Sequence, residues 1–155
     1  VAKNYLTIGK KMITGKTKAI NILIVEDDDV DMMGIKRAFK QCKVDYPLFR
    51  AKDGLEALSM LRGEGKYPAI SKPYLIILDI NMPRMNGFDF LEKIRNDKDL
   101  KTSIVFMHTS SKLENDINKA YKYNVAGYIS KSDFNNGFIN FVKMIDSYRR
   151  VIEFP

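Results

Sequence analysis

The chain has 155 residues, 45% hydrophobic and 29% charged, which suffices for one core and falls short of two ordinary domains. Its formal charge of +7 is local: Lys3, Lys10, Lys11, Lys16 and Lys18 fall in the first twenty residues with no acid among them, and without those five it is +2, so charge gives no reason to expect a nucleic-acid partner. A single cysteine, Cys42, and a single histidine, His108, exclude a disulfide framework and a thiolate metal site and suit a reducing, cytoplasmic compartment.

Residues 1–20 read as a basic, disordered tail. They lack the apolar block of roughly 7–15 residues that a secretory signal needs, and no later run approaches the ~20 residues of a membrane span, so no membrane role is expected. The first strand is expected over 21–25 (NILIV) and ends in the acids Glu26, Asp27, Asp28 and Asp29. A helix over 28–41 follows, with Val30, Met33, Ile35, Ala38 and Phe39 at helical spacing and Asp28 or Asp29 as its cap. A second strand over 47–51 leads to Asp53, an N-cap for a helix over 54–61 that Gly63 and Gly65 punctuate.

The third strand, 74–78, is apolar throughout and bounded by Pro73 and Pro83, the pattern of a strand buried on both faces, and it delivers Asp79 at its C-terminal end. Helices are expected over 87–95 and 113–123, separated by a strand over 103–107 that leads into Thr109. A fifth strand over 126–130 runs into Lys131. Asp133 is then expected to cap a last helix over 133–152, whose stripe of Phe134, Phe138, Phe141, Ile145, Tyr148 and Ile152 faces the core. Ile139, Val142 and Val151 widen that stripe, and this surplus, with the segment from Tyr148 to Phe154, leaves room for a homodimer interface.

Five βα alternations argue for an α/β fold: a doubly wound, five-stranded parallel sheet of flavodoxin-like order, with the first and third strands adjacent at the switch point. Asp27 and Asp79 then face each other across one crevice. Carboxylates held close raise one another's pKa unless a cation intervenes, so the cluster points to a hard metal. Mg2+ fits best, because it takes oxygen ligands, needs only one or two protein carboxylates and bridges to phosphate. Thr109 and Lys131 bring a hydroxyl and an ammonium to the same rim. Together these groups suit transfer of a phosphoryl group onto Asp79, and an ionised carboxylate needs no general base. His108, one residue before Thr109, should point away from the rim by strand alternation.

The order of these motifs over residues 21–147 resembles a response-regulator receiver domain of the chemotaxis-regulator type. The resemblance implies that Glu26 and Asp27 are the acid pair, Asp79 the phosphoacceptor, Thr109 the switch hydroxyl, Tyr128 the switch aromatic and Lys131 the phosphate-contacting lysine, with the backbone carbonyl of Asn81 as a further metal ligand. It also implies a sensor histidine kinase as partner and no catalysis beyond the domain's own phosphorylation and slow dephosphorylation. The segment LRGEGKYPAISKPYLIILDINMPRMNG and the ending YRRVIEFP are similar to the stand-alone subfamily that includes phytochrome-associated regulators, which implies a phytochrome-type kinase. The extension 148–155 leaves no room for a DNA-binding helix-turn-helix, so output through protein contacts is expected.

One residue departs from the pattern. Receiver domains usually carry Pro after the lysine, typically with a cis bond, and here Ser132 follows Lys131. A non-proline cis bond costs about 2.5–4 kcal/mol, so a trans peptide and a reshaped loop are expected, with a less direct approach of Lys131 to phosphate. Two other classes share parts of the pattern. A haloacid-dehalogenase-type phosphatase would carry a second aspartate two residues beyond the nucleophile, where this chain has Asn81. A flavodoxin-like cofactor binder would want a Gly- or Ser/Thr-rich loop after the first strand, where four acids would repel a flavin phosphate.

Overall fold

Five parallel strands form one sheet in the order β2-β1-β3-β4-β5: β1 (Asn21–Val25), β2 (Leu48–Ala51), β3 (Tyr74–Leu78), β4 (Ile104–Thr109) and β5 (Gly127–Ser130). The structure is a computed structural model and describes residues 19–133 and 136–155. The tail expected before residue 19 and Phe134 of the last apolar stripe lie outside those residues. Helices α1 (Asp29–Gln41), α2 (Gly54–Arg62), α3 (Gly87–Arg95), α4 (Glu114–Lys122) and α5 (Gly137–Tyr148) alternate with the strands, and a short 3-10 turn spans Lys131–Asp133.

Strand alternation divides the core in two. Leu23, Val25, Ile76, Leu78, Val105 and Met107 face α2, α3 and α4, whereas Ile22, Ile24, Leu75, Ile77 and Phe106 face α1 and α5. Both faces of β1 and β3 are covered, which is why their sequences are continuous apolar runs. The helices are unequal in this packing: α3 buries Phe88, Phe90, Leu91 and Ile94, but the buried residue of α4 is Ala120 alone. The caps of α1 and α2 fall where the sequence places them. Asp28 accepts from the backbone N–H of Asp31 and Asp53 from that of Glu56, and Gly63 ends α2 with a φ of 69°.

The last helix differs from expectation at both ends. Asp133 belongs to the 3-10 turn, and α5 starts at Gly137, after Asn136. The serine hydroxyls explain the turn locally: Ser130 Oγ and Ser132 Oγ lie 2.8 Å apart, and the Ser132 N–H donates to Ser130 Oγ at 3.3 Å, bonds that compete with helix. At the other end the apolar spacing outlasts α5. Phe154 packs back against Tyr148 and the α1/α5 core, so the stripe records burial of a folded-back tail as well as helix. Val142, expected on a lateral surface, is fully buried in the same core, which leaves Met144 and Val151 as the exposed large apolar side chains among the described residues of this region.

Register sets the rim. Val25 pairs with Leu78 and with Ala51, the Asp79 N–H donates to Val25 O at 3.0 Å, and the Glu26 N–H donates to Ala51 O at 2.9 Å. The chains therefore leave the sheet side by side with their acids level. After Asp79 the loop turns back on itself, with the Gly87 N–H donating to Ile80 O at 2.9 Å. A Cβ on Gly87 would stand 2.3 Å from the Asp79 carbonyl oxygen, so only glycine allows this approach.

Candidate functional site

At this rim one ammonium meets three carboxylates. Lys131, the residue after β5, donates from Nζ to Glu26 Oε2 at 2.7 Å, Asp31 Oδ2 at 2.6 Å and Asp79 Oδ2 at 3.1 Å. The other oxygens of the two buried acids are held by backbone: Asp79 Oδ1 accepts from the Ile80 N–H at 2.7 Å and Glu26 Oε1 from the Asp28 N–H at 3.0 Å. Burial pushes the Glu26 carboxyl up to about 7, and the hydrogen bond from Lys131 offsets this only in part. Burial opposes the charge on Lys131 as well, yet its bonds to Asp31 and Glu26 and the charge of Asp79 hold the ammonium above the ordinary lysine range.

Asp27 is exposed beside these groups. One ligand oxygen each from Glu26, Asp27 and Asp79 lie within 4.8 Å of one another. Three carboxylate oxygens at that spacing, with a single lysine to balance them, suit a hard divalent cation that takes oxygen donors. Asn81 lies exposed two residues beyond Asp79 in the same loop.

Leu78 pairs with Met107 and Thr109 with Ser130, which brings Thr109 just past the level of Asp79 and next to the strand that leads into Lys131. Thr109 is fully buried, and its Oγ1 accepts from the Ser111 N–H at 3.4 Å. Tyr128, half-buried against the α2/α3/α4 core, donates from its hydroxyl to Ser111 O at 3.0 Å. The expected hydroxyl and aromatic thus meet on one loop residue, whose own hydroxyl donates to Asp116 Oδ2 at 2.5 Å. Lys131–Ser132 is not cis; among the described residues the cis bond is Lys72–Pro73. Lys131 nevertheless lies within hydrogen-bonding distance of Asp79.

Several contributors have no obvious mark in the sequence. Arg50, in β2, donates from Nε to Glu26 O at 3.0 Å and from a terminal nitrogen to Asp27 O at 2.9 Å, and it pairs with Asp29 at 2.6 Å, so one guanidinium fixes the whole acid loop. A charged residue inside the strand LFRA was the available signal. Asp53, besides capping α2, accepts from Arg84 Nε at 2.6 Å, and the Gly54 N–H donates to Met85 O at 3.1 Å; these bonds tie the loop after Asp79 to the start of α2. Asp31 is the third contributor. It lies two residues beyond the acid run, in the first turn of α1.

His108 points into the opposite core, its ring 4.8 Å from that of Phe138, as alternation requires. Burial pushes its imidazole down to about 4 from an ordinary 6.5. A base depressed in this way stays neutral in the fold while the unfolded chain takes up a proton, so its contribution to stability is complete above 6.5 and is lost as pH falls through that value toward about 4. With one histidine in the chain, NMR should show a single imidazole that does not titrate between about pH 8 and about pH 5.5. A midpoint near the ordinary value would contradict its burial.

Residues 22–140 match the model of the response regulator receiver domain. Response regulator Rcp1 of Synechocystis sp. is 33% identical over 127 residues, which cover 82% of this chain and 86% of that protein. Chemotaxis protein CheY-3 of Vibrio cholerae is 34% identical over 114 residues, 74% of this chain and 82% of that one. In three dimensions the phosphorylated cyanobacterial phytochrome response regulator RcpA aligns with a TM-score of 0.77 at 33% identity, over 88% of this chain and 99% of its own. The Mn2+-bound form of Rcp1 aligns with a TM-score of 0.74 at 31% identity, over the same shares of the two chains.

Proposed function

The chain belongs to the response-regulator receiver domain family, and from that membership we propose that Asp79 accepts a phosphoryl group from a sensor histidine kinase and that the acyl phosphate is read out through protein contacts. The observation that carries this reading is the Lys131 ammonium 3.1 Å from a buried Asp79 carboxylate at the end of β3. Asp79 attacks phosphorus as the anion; the bond from phosphorus to the donor's imidazole nitrogen breaks as the bond to the carboxylate oxygen forms, and no proton has to be removed from the nucleophile. Lys131 donates to the oxygens of the transferring group, where negative charge must be balanced. Glu26, Asp27 and Asp79, with the backbone carbonyl of Asn81, would hold Mg2+, which when bound neutralises charge on the phosphoryl oxygens.

Thr109 acts as the switch hydroxyl and Tyr128 as the switch aromatic. A phosphoryl oxygen that takes the Thr109 hydroxyl draws on the segment that ends at Ser111, and Tyr128 is bonded to that same residue. The phosphoryl group favours one of two packings of this face by its differential contacts with them. On this reading the protein turns over no substrate other than its own phosphoryl group. The likeness to the cyanobacterial phytochrome response regulator RcpA supports a phytochrome-type kinase as the donor. A cytoplasmic setting fits the free cysteine, and no helix among the described residues is long and apolar enough to cross a membrane. A homodimer through α5 and residues 148–155 would use the exposed Met144 and Val151.

The direct test is incubation with acetyl phosphate and Mg2+ followed by intact mass. The cation has its own test. Calorimetric titration with Mg2+ should show one site, weakened about tenfold or more in Asp27→Ala through loss of a carboxylate facing the octahedral ion or its waters, and weakened less in Glu26→Ala. Equal affinity in wild type and Asp27→Ala would reduce the acids to surface charge.

A further inference from the structure

Lys131 has three ammonium protons and three carboxylate partners, so in this structure its capacity as a donor is fully used. The partners are not equivalent. Glu26 and Asp79 also belong to the carboxylate group that can hold a cation, and Asp31 does not. A divalent ion between Glu26, Asp27 and Asp79 takes up the charge that draws the ammonium to two of its three partners. Asp31 keeps its full charge, and it already makes the shortest of the three contacts, at 2.6 Å.

Asp31 is also well placed to act as a fixed point. Its backbone N–H is bound by the Asp28 cap at 2.8 Å, it sits in the first turn of α1, where the helix dipole favours an acid, and the loop before it is clamped by Arg50. Its side chain is 29% exposed, so it reaches from the rim of the crevice to a lysine that is 12% exposed. The loop that carries Lys131 has Ser132 where the family usually has proline, and it is a short 3-10 turn held by two serine hydroxyls.

We infer that Asp31 is a positioning residue, which keeps the Lys131 ammonium facing Asp79 when Glu26 and Asp79 are engaged by a divalent cation. This rests on the reading of Asp79 as phosphoacceptor. Asp31 touches neither the donor nor the phosphoryl group, and it acts through Lys131.

The test uses the full chain with Mg2+. Asp31→Asn should slow phosphorylation by acetyl phosphate about tenfold, the lower end of what loss of a supporting partner costs. Asp31→Glu, which keeps the charge, should retain more of the rate than Asp31→Asn. In a Lys131→Gln background the Asp31→Asn change should have no further effect on the residual rate, because the two residues act as one unit. Independently of any phosphoryl transfer, NMR of the protein labelled with 15N-lysine should show a slowly exchanging ammonium for Lys131 in the Mg2+-loaded wild type and its loss in Mg2+-loaded Asp31→Asn. A rate within twofold of wild type, equal losses in both backgrounds, or an ammonium signal unchanged in Asp31→Asn would each overturn the assignment. If instead the wild type gains no phosphoryl group, the phosphoacceptor reading fails, and the ammonium signal still decides whether Asp31 holds Lys131.

Discussion

Treated with acetyl phosphate and Mg2+, the wild-type chain gains the mass of one phosphoryl group, and Asp79→Asn gains none. The amide has the shape of the carboxylate and its carbonyl oxygen can still accept from the Ile80 N–H, now made at 2.7 Å, so the variant should keep the fold. It cannot attack phosphorus, since amide nitrogen and oxygen are poor nucleophiles and an ionised carboxylate is a ready one. The other acids of the rim are poor substitutes. Glu26 is buried and drawn toward its protonated form, and Asp27 is the exposed member of the cluster. A full mass shift in Asp79→Asn would sink the assignment of the acceptor.

The second large effect belongs to a residue with no side chain. In Gly87→Ala the new methyl would stand 2.3 Å from the Asp79 carbonyl oxygen, 3.1 Å from the carbonyl carbon and 3.0 Å from Ile80 Cα. All three are backbone atoms, so no flexible side chain can give way. The loop over 80–87 must open, which strains or breaks the Gly87 N–H bond to Ile80 O and moves Asp79 relative to Lys131. Overpacking of this kind costs about 1–3 kcal/mol, and an error of about 1 Å in a reacting group can cost ~100-fold in rate. Denaturant titration should therefore show a lower midpoint, and the phosphorylation rate should fall even where the variant is fully folded. A variant with wild-type midpoint and rate would mean that the backbone relaxes around the methyl without disturbing the site.

The sequence made visible the residues that end apolar runs. Asp79, Thr109 and Lys131 each close or directly follow a strand, and in a parallel sheet all strands end at one rim, so their meeting follows from topology without any knowledge of side-chain contacts. Helix caps at Asp28 and Asp53 were legible for a similar reason, since a cap acts within three residues of itself. Arg50 and Asp31 were not legible in their roles. The Asp31–Lys131 contact joins residues 100 positions apart, and Arg50 reaches a loop on a neighbouring strand; both depend on how elements pack. The ends of α5 are not legible because apolar spacing reports a buried face and not a helix: after Tyr148 a folded-back tail shares that face through Phe154, and before Gly137 serine hydroxyls hold a 3-10 turn. The trans peptide at Ser132 follows from its energy and the meeting of Lys131 with Asp79 from topology, whereas the sharing of the lysine among three carboxylates depends on packing.

The thin attachment of α4 has a thermodynamic consequence. With Ala120 as its buried residue and Leu113 offering no side-chain cap to its first turn, α4 hides little apolar surface from water. Lifting or sliding it therefore sacrifices little of the free energy that holds the domain together, whereas moving α3, with two phenylalanines in the core, would sacrifice much more. A small anion at the rim supplies only a few hydrogen bonds. An element whose local opening costs little is one that such a modest input can redistribute, while the rest of the sheet stays closed.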